Sequence, residues 1–249
     1  MKQLFLVVST FWLTGCITTF VPHAPYLPAI QKRGELEARI ASNLNLSKSD
    51  LQIGYQATEH LVLHTALLGT RSSGGGADFL SGEAGAGYYY ASPNKLWRWG
   101  LDAGVAHGGG SSSQSGCFEC AGAPYPYFES YRVRYTYGYM QPAVLLKMDD
   151  QWALGLALRL GRTYYHQLSE VRVDSAASLP QEFNQAGHQS AFMQPAFQLH
   201  YRARPWLMVS ASASMFTFLG PYSSFNISSP LVTQVGVHFM LGKSASFYP

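Results

Sequence analysis

The sequence has few charged residues, few cysteines and no long apolar runs beyond its first residues. Asp, Glu, Lys and Arg make up 12% of the 249 residues, about half the share of an ordinary soluble domain. The net charge of +3 is too small to favour a nucleic-acid partner, and the composition also excludes a disordered chain and a coiled coil. After residue 15, no stretch reaches the roughly eighteen consecutive apolar residues of a membrane-spanning helix.

Glycine (24 residues) and aromatic residues (14%) are abundant instead, and the apolar residues follow a two-residue period. Segments 97–106, 152–161 and 207–214 each place large apolar side chains on one face and Gly, Ser or charged side chains on the other. This alternation is typical of a barrel with an apolar outside and a polar inside. A soluble β-sandwich with the opposite orientation shows the same alternation, so the period alone leaves both architectures open.

The tryptophans and the lengths of the connections favour the barrel. Short connections precede four tryptophans, Trp97, Trp99, Trp152 and Trp206. Indole rings prefer the headgroup level of a bilayer, so these four predict an interfacial girdle. The opposite connections are predicted to be long and polar, over 71–78, 108–128, 169–189 and 220–229. This asymmetry is typical of outer-membrane barrels, whose short turns face the periplasm.

We therefore predict an all-β fold, a transmembrane antiparallel up-and-down β-barrel of about ten strands. The predicted strands cover 34–43, 51–57, 61–70, 79–90, 96–108, 129–147, 151–168, 190–202, 206–219 and 230–241. The first two have the weakest pattern, which leaves eight strands as an alternative.

The amino terminus has the features of a secretory signal peptide. Lys2 precedes an apolar run over 4–12, and Leu13-Thr14-Gly15-Cys16 follows it. Leu13 to Cys16 resembles the lipobox of bacterial lipoproteins, and the alternative is a signal peptide without lipidation. The resemblance implies a signal peptide at 1–15, removal of this segment by lipoprotein-processing enzymes, lipidation of Cys16, and a periplasmic, lipid-anchored segment at 16–33.

The last predicted strand, Gln234 to Leu241, is similar to the β-signal of bacterial outer-membrane barrels at Gln234, Gly236, Phe239 and Leu241. The resemblance implies a barrel at 34–241 with a tail at 242–249, located in the outer membrane of a Gram-negative cell envelope. It also implies outer-membrane lipid and the barrel-assembly machinery as partners.

Polar residues on the opposite face of the strands are predicted to line the lumen. They are Glu35, Glu37, Arg39, His64, Glu83, Arg98, Asp102, Arg159, His200, Arg202 and His238. Arg132 and Arg134 join them if the strand changes parity at Pro142. Charges inside a narrow barrel need partners, which favours a structural plug of ion pairs. The alternative is a narrow, porin-like pore for small anionic solutes, lined by Arg39, Arg98, Arg159 and Arg202.

A four-residue motif occurs in two of the predicted strands. Met140-Gln141-Pro142-Ala143 recurs as 193–196, either as a duplicated two-strand unit or by chance. Proline donates no ladder hydrogen bond, so both prolines are expected at bulges. Tyrosines at 88–90 and at 131, 135, 137 and 139 are interpreted as interfacial or lipid-facing groups.

Two further groups of residues were considered for chemistry. Cys117 and Cys120 are spaced for a local disulfide, and one such pair is weak support for zinc, so no metal and no cofactor are predicted. A membrane-embedded hydrolase acting on lipid or peptide would need His107, His166 or His188 beside Ser111, Ser169 or Ser190. An enzyme is disfavoured because no nucleophile lies in a motif. The favoured function is a structural or surface-binding barrel lipoprotein, whose ligand the sequence does not name.

Overall fold

The computed structural model describes residues 20–43, 46–71, 77–94, 96–118, 125–174, 181–184, 186–219 and 231–241. These residues form twelve β-strands: β1 Leu36–Ser42, β2 Lys48–Gln56, β3 Leu61–Thr70, β4 Ala77–Ala91, β5 Trp97–Phe118, β6 Tyr125–Lys147, β7 Trp152–Asp174, β8 Gln181–Asn184, β9 Gln189–Arg204, β10 Leu207–Met215, β11 Thr217–Leu219 and β12 Leu231–Leu241. In the part of the chain that is described, no helix is long and apolar enough to cross a membrane.

Ten of the strands close into an antiparallel barrel. β1 to β7 pair in sequence, β7 pairs with β9, β9 with β10, and β10 with β12. β12 returns to pair with β1, from Leu36 opposite Leu241 to Ser42 opposite Val235. β8 adds a short extension to β7, and β11 continues β10 along β9. The predicted all-β, ten-stranded barrel is confirmed.

The connection predicted at 108–128 is largely strand, so that part of the prediction is wrong. β5 continues to Phe118 and β6 begins at Tyr125, with unbroken pairing along the whole of this length. The Gly- and Ser-rich sequence suggested a loop because these residues pack poorly in strands. Pairing with a neighbouring strand outweighs that local preference.

The two repeated prolines are not at bulges. On β6 and β7, Met140 pairs with Leu160 and Ala143 pairs with Ala157, so no extra residue lies between these pairs. Pro195 pairs in register with Leu158. The register shifts lie elsewhere, between Arg134 and Tyr135 and between Leu207 and Met208. A missing N–H therefore interrupts hydrogen bonding at Pro142 without changing the register.

The strands alternate between a buried inner face and an exposed outer face. β2 shows this without interruption: Asp50, Gln52 and Gln56 are buried, whereas Leu51 and Ile53 are exposed. Large apolar side chains dominate the outside of the wall and polar side chains dominate its inside, which is the inverse of a soluble protein.

The amino-terminal segment lies inside the barrel. Residues 20–30 are all buried, and we call residues 20–33 the plug. Phe20 packs near the end of the barrel with the long connections, and Ile30 lies at the end with the short turns, beside Arg98. A turn with Gly34 at a φ of 84° then leads into β1. Residues 20–30 thus occupy the lumen rather than the periplasmic position expected for 16–33.

Candidate functional site

An aromatic cluster fills the lumen at the end with the long connections. Phe20 of the plug lies 4.8 Å from the ring centroids of both Tyr135 and Phe216 and 5.5 Å from that of Tyr137. Tyr135, Tyr137 and Tyr139 are buried, so their interpretation as lipid-facing groups is wrong. Their strand does not change parity at Pro142, and Arg132 and Arg134 consequently face outward.

Wall side chains hold the backbone of the plug. The carbonyl groups of Pro22, His23, Ala24 and Tyr26 accept hydrogen bonds from Lys48, Gln194, Gln52 and Gln141, at 2.6, 3.0, 2.8 and 2.7 Å respectively. The plug pairs with none of the twelve described strands, so these side chains replace the hydrogen bonds that a ladder would supply. Gln141 and Gln194 occupy the same place in the repeated motif, and both donate to plug carbonyls.

Glu37 ties the middle of the plug to the wall. Its carboxylate accepts hydrogen bonds from the Tyr26 hydroxyl at 3.1 Å and from the Ala29 N–H at 2.9 Å. His238 Nδ1 contacts the second oxygen of the carboxylate, and His238 Nε2 lies 2.8 Å from the Ser210 hydroxyl. The buried charge of Glu37 is therefore surrounded by donors, as a charge in a low-dielectric interior requires.

A second buried carboxylate, Glu83, is fully coordinated by wall residues. Arg159 donates two parallel hydrogen bonds to it, at 2.8 and 3.0 Å. The hydroxyls of Tyr137 and Tyr139 donate at 2.8 and 3.0 Å, and the Arg159 guanidinium lies 3.9 Å from the centroid of the Tyr139 ring. This bidentate, stacked geometry is the strongest form of an arginine–carboxylate pair.

Tyr26 occupies a tight slot next to the pair of His64 and Asp102. His64 Nε2 lies 3.0 Å from the Asp102 carboxylate, and the Tyr26 ring stacks on His64 with centroids 4.7 Å apart. A Cβ placed on Gly54 would lie 1.8 Å from the Tyr26 hydroxyl oxygen. Position 54 therefore requires glycine, since no other residue leaves room for the Tyr26 ring.

All eleven residues predicted to line the lumen are buried in the structure: Glu35, Glu37, Arg39, His64, Glu83, Arg98, Asp102, Arg159, His200, Arg202 and His238. Many of them contact the plug or one another. Arg98, for example, donates to the Ile30 carbonyl and to Gln56, and Glu35 accepts from the N–H groups of Gln31 and Lys32 at 2.8 and 3.0 Å.

Two carboxylate–histidine–serine chains occur inside the barrel. In one, His23 lies 3.6 Å from Asp50 and 3.1 Å from the Ser81 hydroxyl; the other is the chain from Glu37 through His238 to Ser210. Both resemble a hydrolase triad in atom order. The side chains of both are buried, and His23 belongs to the plug itself, so both chains are part of the packing of the lumen.

Two of the histidines predicted for a hydrolase, His107 and His166, lie beside a threonine on the outer face of the wall. His107 and His166 face outward, and both contact the Thr136 hydroxyl, at 2.9 and 2.8 Å. Among the described residues, no group of three His, Cys, Asp or Glu is placed to hold a metal ion.

The barrel is similar to known structures, although no family model matches the sequence and no curated protein matches it either. The outer membrane protease OmpT from Escherichia coli superposes with a TM-score of 0.55 at 9% identity, covering 83% of this chain and 93% of that one. The fold is that of an outer-membrane β-barrel. The KdgM porin (TM-score 0.38, 12% identity, 84% of this chain and 99% of that one) and LpxR from Salmonella typhimurium (TM-score 0.35, 10% identity, 84% and 100%) are more distantly similar.

The remaining predicted site residues fall in several places. Trp97, Trp99, Trp152 and Trp206 are exposed at the short-turn end. In β12, Gln234 is buried while Phe239 and Leu241 face outward. Cys16 and Cys120 lie outside the described residues, and only the backbone of Cys117 is described, so lipidation and the disulfide stay predictions.

The plug itself was missed by sequence reasoning, together with the wall residues Lys48, Asp50, Gln141 and Gln194 that hold it. The repeated Met-Gln-Pro-Ala motif was the available signal. Two glutamines at matching places on the inner face of the wall would have indicated a shared partner in the lumen.

Proposed function

We propose that this protein is a structural, surface-displaying barrel of the outer membrane whose lumen is closed by its own amino-terminal segment. The observation that carries this proposal is the burial of residues 20–30 along the barrel axis, with carbonyl groups held by side chains of β2, β6 and β9. The barrel fold, the outward-facing apolar side chains and the exposed tryptophans at one end support the outer-membrane location.

The packing of the plug supports a lumen that does not conduct. A cavity between the plug and the wall of β9, β10 and β12 measures about 10 Å³, at the lower limit for a single water molecule. Ala24, Pro25 and Leu27 of the plug line it on one side, and Gln198, Ser214 and Gln234 line it on the other. A hydrated solute does not fit in such a space.

We further propose that Cys16 carries a lipid and that this lipid lies at the cell surface. Phe20 is the fourth residue after Cys16, and four residues of extended chain span at most about 14 Å. Phe20 lies at the end of the barrel with the long connections, which in outer-membrane barrels faces the outside. The amino terminus would then be anchored at the outer face, instead of at the periplasmic face that the lipobox alone suggested.

Conductance in a planar bilayer tests the closed lumen. The full mature protein is compared with a deletion variant that lacks residues 20–30. A shift in gel mobility on heating verifies that both proteins are folded. We expect silence from the full mature protein and discrete openings from the deletion variant. Openings in the full protein, or silence from a folded deletion variant, would contradict the plug as the closing element.

Labelling with radioactive palmitate tests the anchor, with Cys16→Ala as the unlabelled control. An epitope inserted between residues 17 and 18 then reports which face the amino terminus occupies. We expect antibody to bind intact cells. Binding only after permeabilisation of the outer membrane would place the anchor on the periplasmic side and refute the outward orientation.

A narrow pore is the second candidate function, and unpaired polar atoms on one side of the lumen support it. Within the described residues, buried nitrogen or oxygen atoms of Gln198, His200 and Gln234 have no hydrogen-bond partner. These side chains lie along β9 and β12, and Gln198 and Gln234 line the small cavity. If a polar path runs there, the full protein should show a small conductance that Gln234→Leu abolishes.

A further inference from the structure

An apolar groove lies on the outer face of the wall formed by β2 to β5. Its volume is about 440 Å³, within the range of about 300–1,000 Å³ usual for small-molecule sites. Thr65, Gly82 and Ala84 form a floor of small side chains in adjacent strands. Larger side chains border this floor, namely Leu51, Ile53, Leu67 and Val105. The groove is thus suited to an extended apolar chain.

Polar side chains close the end of the groove nearest the long connections. His107 and Thr136 both line the groove there. The Thr136 hydroxyl links His107 to His166, at 2.9 and 2.8 Å, which extends the polar chain across β5, β6 and β7. His107 and His166 are both exposed, so the outer edge of this polar chain is open to a ligand bound in the groove.

Three arginines flank this polar chain, Arg132 and Arg134 on β6 and Arg162 on β7, and all three face outward and are exposed. Arg162 follows Trp152 by ten residues on β7, and His107 follows Trp97 by ten residues on β5. Ten residues of a strand tilted by about 40° rise about 25 Å, which is the height of the apolar band of an outer-membrane barrel. The cationic patch therefore lies at the headgroup level opposite the tryptophans.

We infer that the groove, together with Arg132, Arg134 and Arg162, binds a phosphorylated glycolipid of the lipid A type from the outer leaflet. One acyl chain occupies the groove, and the phosphates of the headgroup contact the guanidinium groups, whose forked donors match phosphate oxygens. The chain from His107 through Thr136 to His166 meets sugar hydroxyls where the acyl chain joins the headgroup. The inference rests on the proposed outer-membrane location but not on the plug.

Native mass spectrometry of the full mature protein in detergent tests this site, with diphosphorylated lipid A as the probe. Dephosphorylated lipid A and phosphatidylglycerol serve as comparison lipids. We expect one tightly bound lipid A and much weaker binding of both comparison lipids. Equal binding of dephosphorylated lipid A would refute the role of the phosphate, and equal binding of phosphatidylglycerol would refute the glycolipid.

Two variants separate the cationic patch from the groove, each with a matched control. The double substitution Arg134→Ala and Arg162→Ala should weaken binding at least tenfold, whereas Arg204→Ala, which removes an exposed arginine at the short-turn end, should not. Gly82→Leu should also weaken binding by filling the groove. A Cβ at Gly82 meets only the Ala66 carbonyl oxygen at 4.0 Å, so the wall accommodates this side chain.

Ala211→Leu introduces the same side chain on the outward face of β10, away from the groove, and should leave binding unchanged. Unchanged binding in folded Arg134→Ala/Arg162→Ala protein, or an equal loss in either control, would overturn the site. The heat-induced gel shift verifies folding, and conductance tests the plug separately. Failure of this inference is thereby distinguishable from failure of the proposed function.

Discussion

The slot for Tyr26 gives the sharpest test of how the plug is held. Gly54→Ala adds one methyl group, and its carbon would lie 1.8 Å from the Tyr26 hydroxyl oxygen and 2.6 Å from the adjacent ring carbon. The ring cannot retreat easily, because it stacks on His64 and its hydroxyl donates to Glu37. One methyl group should therefore displace Tyr26 from its slot.

The expected magnitude follows from two costs. Overpacking a filled interior costs about 1–3 kcal/mol. Loss of the hydrogen bond from Tyr26 to the Glu37 carboxylate costs roughly 1.5–3 kcal/mol. We therefore expect Gly54→Ala to lower the free energy of unfolding by roughly 3–5 kcal/mol, measured by urea titration in a detergent or lipid system where the barrel unfolds reversibly.

Two control variants make the result specific to the slot. Gly69→Ala, on the adjacent strand, places its Cβ with nothing within 4 Å and should leave stability nearly unchanged. Adding Tyr26→Leu to Gly54→Ala should recover the overpacking part of the loss, because the shorter side chain vacates the slot. Wild-type stability in Gly54→Ala, or a further loss in the double variant, would refute the packing described for Tyr26.

The remaining predictions concern the buried polar contacts and the anchor. Arg159→Met should cost about 3–5 kcal/mol because it leaves the Glu83 charge uncompensated, and Glu83→Gln added to it should restore part of the loss; additive losses in a double-mutant cycle would argue against a coupled pair. Gln141→Leu and Gln194→Leu should each cost about 1–3 kcal/mol by leaving a plug carbonyl unpaired and should raise the frequency of conductance openings; unchanged electrical silence in both would show that these bonds do not hold the plug. Cys16→Ala should abolish palmitate labelling while urea stability stays the same, and a loss of stability would mean that the lipid supports the fold.

The barrel wall could be predicted from the sequence because each strand carries its own signal. In segment 152–161, for example, the alternation of leucines with Gly, Ala and Arg159 decides by itself which side chains face inward. The lengths of the strands were harder to predict, because β5 continues beyond residue 108, where the sequence predicted a connection. There the Gly and Ser residues carry no two-residue period, and they form a strand because they pair with β6 and, as far as Ser112, also with β4.

The plug could not be predicted because its partners are distant in sequence. Its segment contains Pro22, Pro25 and Pro28, which lack the N–H groups of a ladder and obscure any periodic pattern. The orientation of β6 was missed for a related reason. Tyrosines alternate there with Arg132, Arg134 and Thr136, and the sequence alone allows either set to face the lumen. The orientation is decided by Glu83 on another strand, whose carboxylate accepts hydrogen bonds from the tyrosine hydroxyls.

The course of the plug also bears on how the barrel closes. The chain runs through the interior from the long-connection end, turns at Gly34 and then forms β1, which pairs with β12. The seam between β1 and β12 therefore encloses a strip of chain that lies along the axis. If Cys16 carries acyl chains, the lipidated amino terminus is too bulky to pass through the lumen of a closed barrel. The wall would then have to form around the plug.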